Sequence, residues 1–424
     1  MIGTAQSLGQ SWMVWCIAAA ATAGLLVRPF AWPEVVWSVA GAVALVLFGL
    51  LPVPDALAGM AKGTQVYLFL AGMMLLAELA RQEGLFDWLA ARAARLARGS
   101  ASRLFTLVFG VGILVTIFLS NDATAVVLTP AVAAVAQAAG ATQRLPYLLV
   151  CAFVANAASF VLPISNPANL VIYGSRMPPL LEWLPRYALP SLLAIAATYA
   201  VLRWTQREPL RAPIRSDVAM PSLPPGGRVA AYGIAATAGV LMAASAVGLA
   251  LGLPTFLAAL ATLALVLGRS KTGLAEVLRP IPWGVLPLVA GLFVLVEALD
   301  RTGLLRLLSG LLDAAAAHSV AATAWGAGIT LALGTNVMNN LPAGLIAGQV
   351  VQASGVPPAV TGAVLIGVDL GPNLSVTGSL ATILWLGALR REGQSLDARR
   401  FFRLGLLVMP PALLLALSAL LLAG

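Results

Sequence analysis

Apolar runs follow one another along this chain almost without pause, and that succession limits its fold more than any other feature. With 60% hydrophobic and 10% charged residues over 424 positions, it stands far from the roughly 25% charged residues of a soluble domain. Backbone polar groups in lipid must be satisfied inside each crossing, so the expected fold is an all-α polytopic bundle in a lipid bilayer. The longest polar stretch, Arg203 to Arg228, carries Pro209, Pro213, Pro221, Pro224 and Pro225 and reads as a linker. The formal charge of +9 sits in short loops beside apolar spans, without the aromatic-interleaved basic face that nucleic-acid binding needs. Its role is orientation and contact with anionic headgroups. The first twelve residues carry no Lys or Arg, so the run Trp12 to Val27 reads as a first span rather than a cleaved signal peptide. Cys16 and Cys151 both lie inside apolar runs and read as packing residues, with neither a disulfide framework nor a CxxC metal site. No metal or cofactor is expected.

The chain is duplicated. AGMMLLAELARQEGLFDWL from Ala71 aligns without a gap on AGLFVLVEALDRTGLLRLL from Ala290, matching Gly72, Glu78, Gly84 and Leu85 to Gly291, Glu297, Gly303 and Leu304 at an offset of 219 positions. The same offset places Asn121 on Asn340, each in a polar break within an apolar stretch. Two homologous halves follow, residues 1–202 and 229–424, joined by a cytoplasmic linker over 203–228.

Each half holds two segments that ordinary spans do not explain. From Leu104 to Gly140 the chain is apolar except at Ser120, Asn121, Asp122 and Thr124, too long for one crossing of about 20 residues and too short for two. Arginine flanks both ends, Arg103 and Arg144. A re-entrant hairpin with SNDAT at its tip resolves this, because irregular backbone at membrane depth is tolerated where protein or a water-filled cavity surrounds it. The second half repeats the pattern from Ala321 to Ala353 with NVMNNLP at the tip. After each hairpin comes a crossing with an interruption, Leu145 to Tyr173 broken at PISNP and Val360 to Leu389 broken at GPNLSVTGS. Both read as discontinuous helices.

Charge sets the topology. If residues 28–34, 81–103, 140–145, 203–228, 269–282 and 390–403 are cytoplasmic, they hold 20 of the 25 Lys and Arg residues, leaving Lys62, Arg176, Arg186, Arg301 and Arg306 outside. That asymmetry follows the positive-inside rule and requires ten crossings plus two hairpins, with both termini extracytoplasmic and five crossings per half, so that the second repeat is inverted. Counting every apolar segment as a full crossing gives twelve and scatters the charge over both sides. Leu85 to Arg98 reads as a helix along the cytoplasmic interface.

Inverted repeats whose broken helices meet near the midplane are the general plan of secondary transporters. Asp122 and Asp369 stand out, because a carboxylate near the bilayer centre costs about 2.5 to 3.5 kcal/mol on insertion scales and persists where it has a function or a partner. Neither has a Lys or Arg nearby in its own apolar stretch, so both are candidates for proton exchange, with capping of half-helix starts as the structural alternative. Glu78 and Glu297 have local partners in Arg81 and Arg301 at helical spacing and read as structural. The remaining polar groups are amides and hydroxyls, the candidate substrate contacts being Ser120, Asn121, Thr124, Asn166, Asn339, Asn340, Thr377 and Ser379, with Asn169, Asn336 and Asn373 beside them. Such a lining suits a small neutral polyhydroxyl solute or a partly dehydrated cation better than a dicarboxylate, which asks for Arg, Lys or several aimed helix N-termini. About half of these side chains are expected to satisfy only broken backbone.

FLSNDATAVVLTPAV (Phe118 to Val132), ANAASFVLPISNPANLVIYG (Ala155 to Gly174), NNLPAGL (Asn339 to Leu345) and GVDLGPNLSVTGSLATILWLGALRREG (Gly367 to Gly393) closely resemble the ArsB-type arsenite efflux permeases of the ion transporter superfamily. The likeness covers essentially the whole chain, and the last motif is the most specific. It implies export of trivalent arsenite, with antimonite, in exchange for protons across the cell inner membrane. Some relatives also work with a soluble arsenite-stimulated ATPase; this chain has no P-loop of its own. The more distant sodium-coupled dicarboxylate transporters carry Ser-Asn-Thr at both tips. Here Ser120-Asn121-Asp122 and Asn339-Asn340-Leu341 stand instead, which weakens a sodium assignment.

Arsenous acid is neutral at pH 7 and presents hydroxyls, so amides and hydroxyls can hold it reversibly, whereas thiols would bind arsenic tightly and hinder release. Two cysteines exclude a three-thiol site within one chain. His318, the sole histidine, reads as a solvated loop residue. The expected mechanism is an elevator or rocking exchanger in which Asp122 and Asp369 exchange the proton. A sodium/proton antiporter on the same scaffold is the alternative within the class, and a channel a third reading. From another class, a membrane-embedded aspartyl enzyme would use Asp122 and Asp369 as a pair, but it leaves the paired breaks unexplained and no HExxH, Ser/His pair or metal cluster accompanies it. The expectation is that the chain is not an enzyme.

Overall fold

The structure, a computed structural model, describes residues 2–270 and 273–423; Lys271, counted above with the cytoplasmic charge, lies outside the described residues. Among these the chain is helical, with no strand beyond one isolated bridge between Ser100 and Pro213. The first half runs α1 (Ile2–Val27), α2 (Glu34–Leu47), α3 (Val53–Lys62), α4 (Thr64–Gln82), α5 (Leu85–Ala97), α6 (Ala101–Phe118), α7 (Thr129–Ala138, entered through a π-helical stretch Ala123–Leu128), α8 (Leu145–Ala157), α9 (Pro167–Tyr173) and α10 (Leu180–Thr205). The second runs α11 (Pro225–Ala246), α12 (Gly252–Leu267), α13 (Leu274–Leu278), α14 (Val285–Arg301), α15 (Leu304–His318), α16 (Val320–Met338), α17 (Asn340–Ala353), α18 (Pro358–Leu370), α19 (Leu380–Arg391) and α20 (Ala398–Ala423). Six of the helices are long and apolar enough to cross a membrane, or seven if the bent pair α3 and α4 counts as one span. The broken and shorter helices fall outside that criterion.

The two series correspond helix by helix. Gly84 at φ 70° and Gly303 at φ 81° precede α5 and α15 in left-handed conformation, where a side chain would be strained. Ser100 and Ser319 cap α6 and α16 by accepting from Arg103 N and Ala322 N. The matched Gly72 and Gly291 mark close helix crossings. A Cβ on Gly72 would lie 2.9 Å from the Thr255 backbone of α12, and one on Gly291 would lie 2.8 Å from the Ser38 backbone of α2. Only a small residue admits that approach, which is how packing replaces the missing hydrophobic drive between helices in lipid.

Both reversals are hairpins, shown by what their ends touch. Ile214 N donates to Gly99 O (3.0 Å) and Arg215 N to Ala139 O (2.7 Å), so the start of α6 and the end of α7 sit beside the same two linker residues. At the other hairpin, Gly355 N donates to Asp313 Oδ1 (2.9 Å), tying the end of α17 to the helix that leads into α16. The hairpins enter from opposite ends of the bundle. Gln352 at the end of α17 donates to Val171 O and Ile172 O (3.3 and 3.0 Å), beside the loop from which α10 starts. The far end of α10, about 39 Å away at 1.5 Å per residue, places Arg203 on the Ser102 hydroxyl at the start of α6 (2.9 Å).

Three expectations are adjusted. Glu297 does not pair with Arg301: it accepts from Lys62 Nζ at 2.6 Å, and Arg301 pairs with Asp55 at 2.6 Å, because α3 packs directly on α14, with Gly59 against the Glu297 Cβ, and offers nearer partners than the next helical turn. Glu78 keeps its local partner, accepting from Arg81 Nε (2.9 Å) and Nη2 (2.5 Å). The helix expected over Leu85–Arg98 forms as Leu85–Ala97 and is sunk into the protein along one face by Leu85, Phe86, Ala90, Ala91, Ala93, Ala94 and Ala97, while Leu96 is exposed with the arginines. Third, the linker is shorter than its polar stretch, since α10 reaches Thr205 and α11 begins at Pro225.

Candidate functional site

The site is built where the two tips and the two breaks leave backbone groups without helical partners. In the first break, Asn169 supplies what the interrupted helix lost: its amide donates to Ser159 O (2.9 Å), Leu162 O (3.3 Å) and Pro163 O (3.3 Å). Asn166, extended at φ −149°, starts α9 by accepting from Ala168 N (3.0 Å). Ser165 accepts from Leu162 N (3.2 Å) and donates to Ile117 O (3.3 Å) at the end of α6, fastening the first break to the first hairpin.

The second break is stitched from outside itself. Asn336 on α16 donates to Gly371 O (3.1 Å) and accepts from the Ser375 hydroxyl (2.6 Å), and Thr377 donates to Asn336 O (3.0 Å). Ser379 caps α19, accepting from Thr382 N (3.0 Å). The acceptors of the Ser165 and Thr377 contacts, Ile117 O and Asn336 O, stand 219 positions apart, whereas the two donors stand 212 apart. Across the bundle the breaks bond to one another. Asn156 donates to Asn373 Oδ1 (3.0 Å), Asn373 donates back to Phe153 O (3.1 Å), and Asn166 donates to Asp369 Oδ1 (2.7 Å). Buried amides and hydroxyls therefore fasten each hairpin to its break, and the two breaks bond directly to one another.

At the first tip, Asn121 accepts from Asp122 N (2.9 Å), Ser120 from Ala123 N (3.2 Å), and the Thr124 and Thr116 hydroxyls meet at 2.8 Å. At the second, Asn339 holds φ 73°, ψ 153° and accepts from Leu341 N (3.3 Å) while donating to Thr377 O (3.4 Å). A non-glycine residue there stores about 1–3 kcal/mol, the kind of strain that gathers at binding and switch sites.

The sequence-expected residues thus divide. Thr124, Ser379, Asn339 and the Asn121 amide oxygen are engaged in holding tips and helix starts, and Thr377 joins the second hairpin to its break. Other buried acceptors are left over: Asn340 Oδ1, Asn169 Oδ1 and Asp369 Oδ2 have no partner, and such groups are normally matched by a ligand or water. Asp122 is half-buried at the tip. Among the described residues no Lys or Arg forms an ion pair with Asp122 or Asp369. Cys151 is buried against Tyr147 O (3.9 Å) and Cys16 is exposed on α1; His318 is exposed, its ring on Ala314 O (2.9 Å).

Sequence reasoning passed over Asn156, Ser375, Thr116 and Ser165. Asn156 was the legible one, an amide in an apolar run just before a break. The three hydroxyls carry no signal of their own, because Ser and Thr in membrane helices commonly bond their own backbone.

This architecture, two hairpins and two broken helices joined by a buried amide and hydroxyl network, defines a multi-pass membrane transporter. The comparisons agree. The profile of the CitMHS family, described as a citrate transporter, matches residues 13–389, and the chain belongs to that family. The arsenical pump membrane protein of Yersinia enterocolitica is 30% identical over 82% of this chain and 84% of its own length, and that of Escherichia coli K12 is 30% identical with the same coverage. The resemblance to ArsB-type permeases of the ion transporter superfamily is borne out. In fold, the chain is similar to the Alcanivorax borkumensis YdaH transporter, with a TM-score of 0.57 and 17% identity over 86% of each chain.

Proposed function

We propose that this protein exports trivalent arsenite, and antimonite with it, across the cell inner membrane in exchange for protons. The observation that carries the reading is the cradle itself, made of amides and hydroxyls, holding two carboxylates without cationic partners. Arsenous acid is neutral and hydroxyl-bearing, and such groups bind it reversibly. Relatives named arsenical pump membrane protein support arsenic as the cargo. Citrate, named in the family description, would ask for fixed positive charge, which the cradle does not offer.

In this reading Ser120, Asn121, Thr124, Asn166, Asn339, Asn340, Thr377 and Ser379 frame the solute, with Asn340 Oδ1 free to accept from it. Asp122 and Asp369 carry the proton. Residues 1–202 and 229–424 act as inverted repeats of five crossings each, joined by a cytoplasmic linker that lies within 203–228, between the end of α10 and the start of α11, with both termini extracytoplasmic, and a soluble ATPase subunit is a candidate partner. Coupling requires solute and proton to favour different states of one element, since a ligand shifts an equilibrium only by its differential affinity.

The test is arsenite uptake into proteoliposomes under an imposed pH or sodium gradient. A pH gradient should drive accumulation, and Asp122→Asn should abolish it while leaving membrane insertion intact. Unchanged transport in that variant removes Asp122 from the mechanism. Sodium-dependent proton flux without arsenite would establish the sodium/proton antiporter instead, and citrate uptake would move the cargo to the family description.

A further inference from the structure

Asp369 accepts from Asn166 at Oδ1, the Ser159 hydroxyl lies close to the same carboxylate, and its Oδ2 makes no further hydrogen bond among the described residues; a polar stripe leads away from it. Asn166 caps the start of α9, and Asn169 and Tyr173 stand on it at i and i+4, one face of the helix. Asn169 Oδ1 is buried and unpartnered. At the end of the stripe the Tyr173 hydroxyl meets the Tyr187 hydroxyl of α10 at 2.5 Å, in a wholly buried contact. Tyr187 lies within electrostatic range of Asp369, and its hydroxyl sits 3.2 Å from where a Cβ on Gly362 would be, two turns before Asp369 on the same face of α18. Tyr173 also lines a cavity of about 490 Å³ at the base of the second hairpin, together with Arg176, Glu182, Arg186 and Gln352. Arg186 reaches the Tyr173 hydroxyl from that side.

Two apolar rings carrying hydroxyls in direct contact inside a bundle need a reason beyond packing, because a buried hydroxyl contributes only while it is bonded. The charged groups facing the pair are Arg176, Glu182 and Arg186 on the cavity side and Asp369 on the inner side. α8 has no charged residue and α18 no other, and Leu420 beside Gly362 puts the arginines of α20 at its opposite end.

We propose that Tyr173 and Tyr187, with water held at Asn169 Oδ1, form the proton route between Asp369 and the cavity at the base of the second hairpin. Hydronium in the cavity gives a proton to the Tyr173 oxygen as that hydroxyl passes its own hydrogen to Tyr187. Tyr187 passes its hydrogen to the water at Asn169 Oδ1, and a proton leaves that water along further buried water to Asp369 Oδ2. Each oxygen gives up one proton as it takes one, and the reverse sequence empties the site. Asn169 Oδ1 and Asp369 Oδ2 are each the kind of unmatched buried acceptor that a buried water satisfies. The route rests on the proton-coupled reading above and adds to it which residues conduct the proton.

The experiment compares Tyr173→Phe and Tyr187→Phe with wild type in proteoliposomes, measuring arsenite uptake driven by a pH gradient and arsenite/arsenite exchange, which needs no net proton movement. Each variant should lose about tenfold or more of the driven rate and develop an altered pH profile, with exchange near the wild-type rate. Driven uptake at the wild-type rate in both variants overturns the route alone. Equal losses in driven uptake and exchange overturn it as well, marking the tyrosines as packing residues. A wild-type protein indifferent to the pH gradient overturns the proton-coupled reading, and the route with it.

Discussion

The two hairpin tips stand at matched positions of the aligned sequences, Asn121 on Asn340, yet are held in different ways. The first holds mainly itself: Thr116 meets Thr124, Ser120 caps Ala123, Asn121 caps Asp122, and a bond from Ser165 to Ile117 O fastens it to its break. The second is wired into the neighbouring break through Asn336, Ser375, Thr377 and Asn339, with Asn339 in a strained conformation. The two halves therefore order their helices alike but satisfy their broken backbone differently. The bonds at the first tip close mostly within the hairpin, whereas those at the second tie it to the segment between α18 and α19.

The largest expected effect tests that wiring. Asn336→Leu leaves Gly371 O without its side-chain donor, at about 1–3 kcal/mol, and removes one of the two partners of the Ser375 hydroxyl, which keeps Thr377, at about 1 kcal/mol; the sum of about 2–4 kcal/mol is read as thermal unfolding in detergent. Thr116→Val at the first tip should cost only about 1 kcal/mol, because Thr124 retains Ser120 O. Equal losses would erase the contrast between the tips.

Next come the shared crossings. Gly72→Ala and Gly291→Ala should each cost about 1–3 kcal/mol by overpacking against Thr255 and Ser38. A large difference between them, measured the same way, would show that the two crossings are not equivalent. Asn339→Gly should raise stability by about 1 kcal/mol, since glycine relieves the backbone while an Asn cap replaced by Gly costs only tenths. An unchanged or lower melting temperature would mean that the contact to Thr377 O outweighs the strain.

The smallest effect concerns the repeat-related acids. Lys62→Met removes an interhelical pair to Glu297 in which the lysine is half exposed, so the loss should stay below about 1 kcal/mol and shrink in high salt. A larger, salt-independent loss would show that Glu297 depends on that cation in a way that Glu78, held by Arg81 on its own helix, does not.

Much of this was legible in one dimension. The lengths of the apolar stretches exposed both hairpins, proline and glycine exposed both breaks, and the offset of 219 positions aligned Gly84 with Gly303 and Asn121 with Asn340. These are properties of consecutive residues, because a bilayer fixes how long a crossing is and a broken helix needs residues that break it. That Asp122 and Asp369 lack a neighbouring cation was likewise visible along the chain.

Bonding partners were not. Whether Glu297 meets Arg301 or Lys62, whether Asn166 faces Asp369, and whether Asn156 reaches Asn373 depend on which helices lie side by side, at separations of 203 to 235 residues. Amides and hydroxyls bond in many directions to many partners, so their presence marks a polar centre without assigning each one to backbone repair or to the solute. The packing of α3 on α14, of α9 beside α17 and of one break against the other made those assignments, because only folding brings donors and acceptors from distant segments within 3 Å.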